Sequence, residues 1–141
     1  MSKEIETLET IDKYYKYWFE INNIYHNWSR KHNIEDTVLF VLTVIREEEP
    51  YCTQNKICEK LVLPKQTISL VLQNLERKGY ILREKNSDDR RNKNVKFTEN
   101  GKSYAIEILD KLKFAEIRAL SEMSQEQIGR ASCRERVCQY V

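Results

Sequence analysis

The sequence predicts a mostly helical fold of the α+β class that carries one small β-hairpin. Three observations predict it. Apolar residues recur at helical spacing through most of the chain. Only three Gly and two Pro occur among 141 residues, which favours long helices. Two short β-type stretches lie on either side of one polar turn, and at this length we expect one domain with helical extensions.

The first helix is predicted from Ile5 to about Lys31. Its apolar side chains form two stripes that share some residues. One contains Leu8, Ile11, Tyr15, Trp18 and Tyr25, and the other contains Tyr14, Trp18, Ile21, Tyr25 and Trp28. One small neighbouring lobe cannot cover both stripes, so we expect part of this aromatic surface to contact a second subunit.

The second helix is predicted from Thr37 to Glu48, and its run of Val, Leu, Phe and Ile indicates full burial. Glu35 and Asp36 place acidic groups at its start, where the helix dipole favours them. Pro50 is expected to end it.

Two short helices follow. Thr53 is a predicted N-cap for a third helix that ends at Leu61. Pro64 is expected in the first turn of a fourth helix, where its missing N–H costs least. That helix is predicted to run to Lys78 and to stop at Gly79, the residue best suited to a left-handed C-terminal position.

A hairpin and a last long helix complete the pattern. The strands are predicted over 80–85 and 94–97, joined by a polar, turn-forming segment over 86–93. Thr98 is a predicted N-cap for a helix that continues to about Leu120. The apolar face of this helix is expected to contain Ile106, Leu109, Leu112 and Phe114 to Ile117.

Positive charge is concentrated in one block of the chain. Residues 64–96 carry a net charge of +5, whereas residues 1–63 carry −3 and residues 97–128 carry −2. Such a block is typical of a surface that faces a polyanion. The sequence has no apolar run long enough to span a membrane and no secretory signal pattern, so we expect a cytoplasmic protein with no membrane partner.

The fourth helix has two contrasting faces. Ile68, Val71, Leu72 and Leu75 gather on one side and are expected to anchor the helix. The other side is polar, and its amides, hydroxyls and cations are groups that bind base edges and phosphates. We therefore predict DNA contacts from Lys65, Gln66, Thr67, Ser69, Leu70, Gln73, Asn74 and Arg77. Leu70 is either a contact to a thymine methyl group or an ordinary exposed leucine.

The hairpin turn supplies a second group of cations. Arg90, Arg91 and Lys93 lie in it, with Asp88 and Asp89 close enough in sequence to orient them. An arginine held in this way can enter a minor groove or bind phosphate. The alternative is an ordinary solvated loop.

Three stretches together resemble the MarR family of bacterial transcriptional regulators: Leu63 to Ile81, Asp88 to Arg91, and Phe97 to Gly101. The resemblance covers residues 5–127 and is strongest over 53–101. It implies a winged helix-turn-helix that binds double-stranded DNA as a homodimer. It also implies that the fourth helix lies in the major groove and that the wing arginines lie in or near the minor groove. Asp89 and Arg91 match the family's Asp-x-Arg wing pattern, which makes Asp89 a wing-orienting residue.

The resemblance implies a division of the chain and a function. Residues 1–34 and 99–127 are expected to form dimerisation helices around a DNA-binding lobe at 35–98. Residues 128–141 have little apolar periodicity and resemble read-through from a cloning vector, so we expect them to be non-native. The implied function is sequence-specific regulation, most simply repression, from a pseudo-palindromic operator with half-sites about one helical turn apart.

The resemblance also implies that a small aromatic ligand could release the DNA. Tyr14, Tyr15 and Trp18 are the candidate lining of a ligand cleft, although core or dimer packing is the more usual role of an aromatic stripe. The histidine and cysteine spacings fit neither a metal site nor a redox pair, so we expect no metal or cofactor.

The sequence also bears on two other classes of function. An enzyme is disfavoured because the sequence lacks a glycine-rich phosphate loop and a His-Glu metal signature. A winged helix that binds protein or RNA is the alternative. It would call for an apolar recognition face or for stacking aromatic side chains on the wing, whereas the predicted face is polar and basic.

Overall fold

Five helices and one two-stranded antiparallel sheet form the part of the chain that a computed structural model describes, residues 2–85 and 93–121. The predicted α+β class is therefore confirmed. In chain order the elements are α1 (Lys3–Lys31), α2 (Asp36–Glu48), α3 (Gln54–Leu61), α4 (Lys65–Arg77), β1 (Ile81–Glu84), β2 (Asn94–Phe97) and α5 (Glu99–Ser121).

Side chains and backbone at the helix ends explain where the helices start and stop. The Thr53 hydroxyl accepts a hydrogen bond from the Lys56 amide at 3.2 Å, as predicted for an N-cap. Gly79 has φ +79° after α4, the left-handed conformation that the sequence predicted. The prediction for Pro64 was wrong by one position. It is the N-cap of α4, with ψ 147°, because an extended residue must precede the first helical turn.

The core lies around α2, which contacts every other helix. Leu39, Leu42 and Ile45 are fully buried, as the apolar run predicted. Burial of each such side chain stabilises the fold by about 1.5–3 kcal/mol. Ile57 of α3 and Leu72 of α4 are also fully buried in this cluster, so α2 fixes the positions of the two helices that follow it.

The hairpin is attached to the start of α3 as well as to α4. β1 and β2 pair with Ile81 opposite Phe97 and Arg83 opposite Val95. The Val95 amide also donates a 2.8 Å hydrogen bond to the carbonyl of Cys52, on the far side of β2 from β1. Strand β2 is therefore hydrogen-bonded on both of its sides, to β1 and to the residue at the start of α3.

The first and last helices keep much of their apolar surface exposed. On α1 the stripe that includes Tyr25 and Trp28 is half-buried, whereas Leu8, Ile11 and Tyr15 are exposed. On α5, Leu109 and Leu112 are buried, but Ile106, Phe114 and Ile117 are exposed. The predicted apolar face of α5 is therefore divided into a buried and an exposed part. At 100° per residue, for example, Phe114 lies about 140° from Leu109 around the helix.

Among residues 2–85 and 93–121, no helix combines the length and apolar character that a bilayer span requires.

Candidate nucleic-acid interface

Helix α4 presents its polar residues to solvent. Ile68, Val71, Leu72 and Leu75 are buried, which fixes how the helix is turned on the lobe. The eight residues predicted to contact DNA lie on the remaining surface, and we call this set the α4 face. Lys65, Gln66, Thr67, Leu70, Gln73 and Arg77 are exposed, whereas Ser69 and Asn74 are half-buried.

The N-terminal half of the α4 face is concave. Lys65, Gln66, Ser69, Leu70 and Gln73 line an open depression of about 470 Å³. Leu70 is 59% exposed within it, surrounded by amide, hydroxyl and ammonium groups. The depression therefore offers hydrogen-bond donors and acceptors at its sides and one apolar contact among them.

The C-terminal half of the α4 face contains a pair of interacting side chains. Arg77 donates a hydrogen bond from Nη2 to the Oδ1 atom of Asn74. Sequence spacing treated these residues as independent contacts, but the structure joins them. Because Oδ1 accepts from Arg77, the amide nitrogen is the group of Asn74 that has hydrogen-bond donors left for a ligand.

A salt bridge holds the base of the wing against α4. The Arg83 side chain of β1 is only 15% exposed, and its Nε lies 3.1 Å from the Glu76 carboxylate. The hydrogen bond from Arg83 is the main reason that the pKa of Glu76 is lowered, and the charge of Lys93 contributes to the same shift. Sequence analysis missed this link. Its only signal was a pair of opposite charges on either side of the turn at Gly79.

The remaining wing residues named from the sequence fall outside the described part of the chain. These are Arg90 and Arg91, together with Asp88 and Asp89, whereas Lys93 is described and exposed. The role of the cationic turn therefore stays a prediction from the sequence. The structure describes the two strands to which this turn is attached.

The candidate ligand residues lie on a different element. Tyr14, Tyr15 and Trp18 belong to α1, where Tyr15 contacts the ring of Tyr14 at a centroid distance of 5.7 Å and that of Trp18 at 6.2 Å. Tyr15 also stacks on Phe19 at 6.4 Å. The structure therefore gathers these residues into an aromatic surface along α1.

Among the described residues, the histidines contact neighbouring groups and the cysteines are at least partly buried. His26 lies 3.1 Å from the Asp36 carboxylate, and His32 is the C-cap of α1. Burial raises the pKa of the Cys52 thiol to about 12 and also raises that of Cys58. Since the thiolate is the reactive form, both groups are poor nucleophiles at neutral pH. Within residues 2–85 and 93–121, no cluster of three or more His, Cys, Asp or Glu could hold a metal ion.

A capped short helix, a second helix with an exposed polar face and a β-hairpin define the winged helix-turn-helix class. The chain is a protein of this class. Residues 32–92 match the model described as the MarR family.

A curated protein is also similar in sequence over part of the chain. The chain is 31% identical over 84 residues to the HTH-type transcriptional regulator SarZ of Staphylococcus aureus (strain USA300). The aligned region covers 60% of this chain and 56% of that protein. The chain thus spans just over half the length of that relative.

Three solved structures share the fold. BldR from Sulfolobus solfataricus has a TM-score of 0.75 at 21% identity and covers 99% of both chains. MepR of S. aureus, solved as a DNA complex, has a TM-score of 0.75 at 23% identity, with 90% of this chain and 98% of that chain covered. NMB1585, a MarR family regulator from Neisseria meningitidis, has a TM-score of 0.72 at 24% identity, with 99% and 93% covered.

Proposed function

We propose that this protein is a sequence-specific DNA-binding transcriptional regulator that acts from the cytoplasm as a homodimer on a pseudo-palindromic operator. The α4 face is the observation that carries the proposal. Its glutamine amides and its cations are exposed because the opposite, apolar side of the helix is buried in the lobe. Such groups pair with base edges and phosphates in a major groove. The name of SarZ as a transcriptional regulator and the solved MepR–DNA complex support it.

The exposed apolar surface of α1 and α5 supports the homodimer. Ile5, Leu8, Ile11, Tyr15, Phe19, Ile106, Phe114 and Ile117 are all exposed in a single copy. Apolar surface on this scale is typical of a protein–protein interface, and a second copy offers the same surface in return. We assign residues 1–34 and 99–127 to dimerisation and residues 35–98 to DNA binding. A two-fold axis would then present two α4 helices to successive major grooves, about 34–36 Å apart.

The aromatic surface of α1 supports a narrower proposal, a small aromatic ligand that releases the DNA. Tyr15 is 47% exposed beside Trp18, so a planar molecule could contact both rings. One structural relative, CouR from Rhodococcus jostii RHA1, was solved with p-coumaroyl-CoA. Titration with p-coumarate should quench tryptophan fluorescence in the wild type and quench it much less in Trp18→Phe. Equal quenching in the two proteins would place the ligand elsewhere.

The DNA-binding proposal is tested by selecting duplexes from a random library and measuring their affinity by fluorescence anisotropy. We expect the wild type to select an inverted repeat. Gln66→Ala and Gln73→Ala should each relax the preference at one position per half-site, because each removes a side chain that could read a base. Asn23→Ala, which removes an exposed amide from α1, is the matched control and should leave the selected sequence unchanged.

Charge variants separate phosphate contacts from base contacts. Lys65→Ala should weaken binding to all duplexes about equally and should lower the slope of log affinity against log salt by about 1. Lys113→Ala removes an exposed lysine from α5 and should do neither. Arg91→Ala is expected to weaken binding on the basis of the sequence. If no duplex is enriched and a single-stranded RNA or a protein is bound instead, the alternative function replaces this one.

A further inference from the structure

The start of α5 is fastened to the turn that follows α4. The Thr98 amide donates a 3.1 Å hydrogen bond to the carbonyl of Tyr80. The Thr98 hydroxyl donates a 2.6 Å hydrogen bond to the carbonyl of Gly79 and accepts a 3.0 Å hydrogen bond from the amide of Gly101. One side chain therefore caps α5 and binds the turn at the end of α4.

The two backbones are in direct contact at this point. A Cβ atom added to Gly101 would lie 1.7 Å from the carbonyl oxygen of Tyr80 and 2.5 Å from its carbonyl carbon. Any residue other than glycine would force the first turn of α5 away from the turn after α4. The close approach is thus set by the backbone itself, and it leaves α5 little freedom to tilt relative to the turn after α4.

An aromatic pair lies beside this contact. The rings of Tyr80 and Tyr104 stack with centroids 4.6 Å apart and planes 4° from parallel. Tyr104 lies three residues after Gly101, about one turn along α5. The stack adds a second area of contact beside the backbone, and both rings are half-buried.

Because α5 is long, a small change in its direction moves its far end by a large distance. Its 23 residues span about 34 Å, so a tilt of about 6° at its start moves its far end by about 3.5 Å, the rise of one base pair. Further along α5, Leu109 and Leu112 are buried in the core, and Arg46 of α2 lies 3.0 Å from Asp110 in an exposed ion pair. The start and the middle of α5 are therefore held separately against the lobe.

We propose that Gly79, Tyr80, Thr98, Gly101 and Tyr104 form a positioning junction that fixes the direction of α5 relative to α4 and thereby sets the half-site spacing that the dimer reads. Tyr104 and Thr98 are positioning residues, because they act through the orientation of α4 and not through contact with DNA. The inference rests on the proposed function.

The experiment uses the full-length protein and duplexes that carry two selected half-sites, with their spacing changed by one or two base pairs in each direction. We expect the wild type to bind one spacing at least tenfold more tightly than spacings two base pairs away. Tyr104→Ala should reduce that ratio to threefold or less, whereas Tyr104→Phe keeps the stacked ring and should keep the ratio. Tyr51→Ala removes an exposed tyrosine from the same lobe and is the matched control.

A second pair of variants covers the case in which Tyr104→Ala does not fold. Thr98→Val removes the hydroxyl with little change of shape, and Thr98→Ser retains it. The valine variant should lose spacing preference and the serine variant should keep it. If folded Tyr104→Ala and Thr98→Val both keep the wild-type ratio, the junction does not set spacing and the inference is overturned.

A measurement without DNA separates this inference from the proposed function. Spin labels at residues 73 and 113, with Cys58, Cys133 and Cys138 replaced by serine, report the distance between α4 and α5 by pulsed electron resonance. The distance distribution should broaden in Tyr104→Ala and stay narrow in Tyr104→Phe. If the wild type binds no duplex yet the distribution broadens, the proposed function and the role in spacing fail, whereas the fixing of α5 relative to α4 by the junction is supported. An unchanged distribution in Tyr104→Ala would overturn the junction whatever the DNA result.

Discussion

Two glycines of the described chain occupy their positions for different physical reasons. Gly79 has φ +79°, but the space around its Cα is open, with no atom within 4 Å of an added Cβ. Gly101 lies in a helix, where any residue fits the backbone, but its Cβ position is filled by Tyr80. The first glycine is required by conformation and the second by packing.

This difference predicts unequal effects of the same substitution. Gly79→Ala should lower the free energy of unfolding by about 1 kcal/mol, the usual penalty for a left-handed residue with a Cβ. Gly101→Ala should lower it by about 3 kcal/mol, because backbone atoms must separate to relieve the overlap. Urea denaturation followed by circular dichroism measures both, and equal losses would contradict the interpretation of Gly101.

Val62 tests the opposite substitution, in which a glycine replaces a side chain in the left-handed conformation. It is the C-cap of α3, with φ +53°, a strained conformation for a β-branched residue, and its side chain is 86% exposed. Val62→Gly should therefore raise the free energy of unfolding, by up to about 1 kcal/mol once the greater freedom of glycine in the unfolded chain is subtracted. Val38→Gly, inside α2, is the control and should be destabilising. A loss of stability in Val62→Gly would show that its side chain makes contacts that outweigh the strain.

At the scale of elements, a hydrogen bond joins the first helix to the last. The Tyr25 hydroxyl of α1 donates to the Glu116 carboxylate of α5 at 3.1 Å. Burial, followed by the charge and the hydrogen bond of Glu116, raises the pKa of Tyr25 to about 12. The two helices are 91 residues apart in sequence at this contact, so no local pattern could have predicted it.

The raised pKa predicts how alkali affects stability. Tyrosine in the unfolded chain titrates near pH 10, so the contribution of this contact is fully present below about pH 10 and is lost as the pH rises toward 12. Tyr25→Phe should show a shallower fall in unfolding free energy between pH 9 and pH 11 than the wild type. Tyr51→Phe, at an exposed position, should keep the wild-type fall. Identical pH profiles for Tyr25→Phe and the wild type would exclude this contact as the cause.

Local chemistry predicted most elements and the hairpin, but not the side-chain links between elements. Thr53, Thr98 and Gly79 marked helix ends because caps depend on neighbouring residues alone. The hydrogen bond from Thr98 to Gly79 and the salt bridge between Glu76 and Arg83 depend on how the elements pack, which sequence spacing does not contain. For the same reason the polar α4 face was predictable from 100° steps, whereas the pairing of its Asn74 with Arg77 was not.

At the scale of the whole molecule, a single copy leaves apolar surface at both ends of the chain. Phe114 is 64% exposed on α5, and Phe19 is 64% exposed on α1. The pattern of α1 predicted aromatic surface left for another subunit, whereas that of α5 predicted one apolar face, which the structure divides into a buried and an exposed part. A helical period identifies apolar residues and cannot say whether the same chain or a second copy covers them.

This surface predicts the effect of an added charge. Phe114→Lys should raise the dimer dissociation constant at least tenfold, because an ammonium group would have to be desolvated in the interface. Tyr51→Lys, at a site 73% exposed on the lobe, should leave it unchanged. Light scattering over a range of protein concentrations measures both. An unaltered mass for Phe114→Lys would exclude that part of α5 from the interface.

The position of Cys52 gives the lobe a natural probe of its own opening. The thiol is fully buried where the chain enters α3, and the carbonyl of the same residue holds β2 of the wing. A thiol reagent can reach the sulfur only when β2 separates from the start of α3. The rate of Cys52 modification would therefore report how often the wing detaches from the helices. Slower modification in the presence of an operator duplex would measure, without any introduced label, how far bound DNA suppresses that detachment.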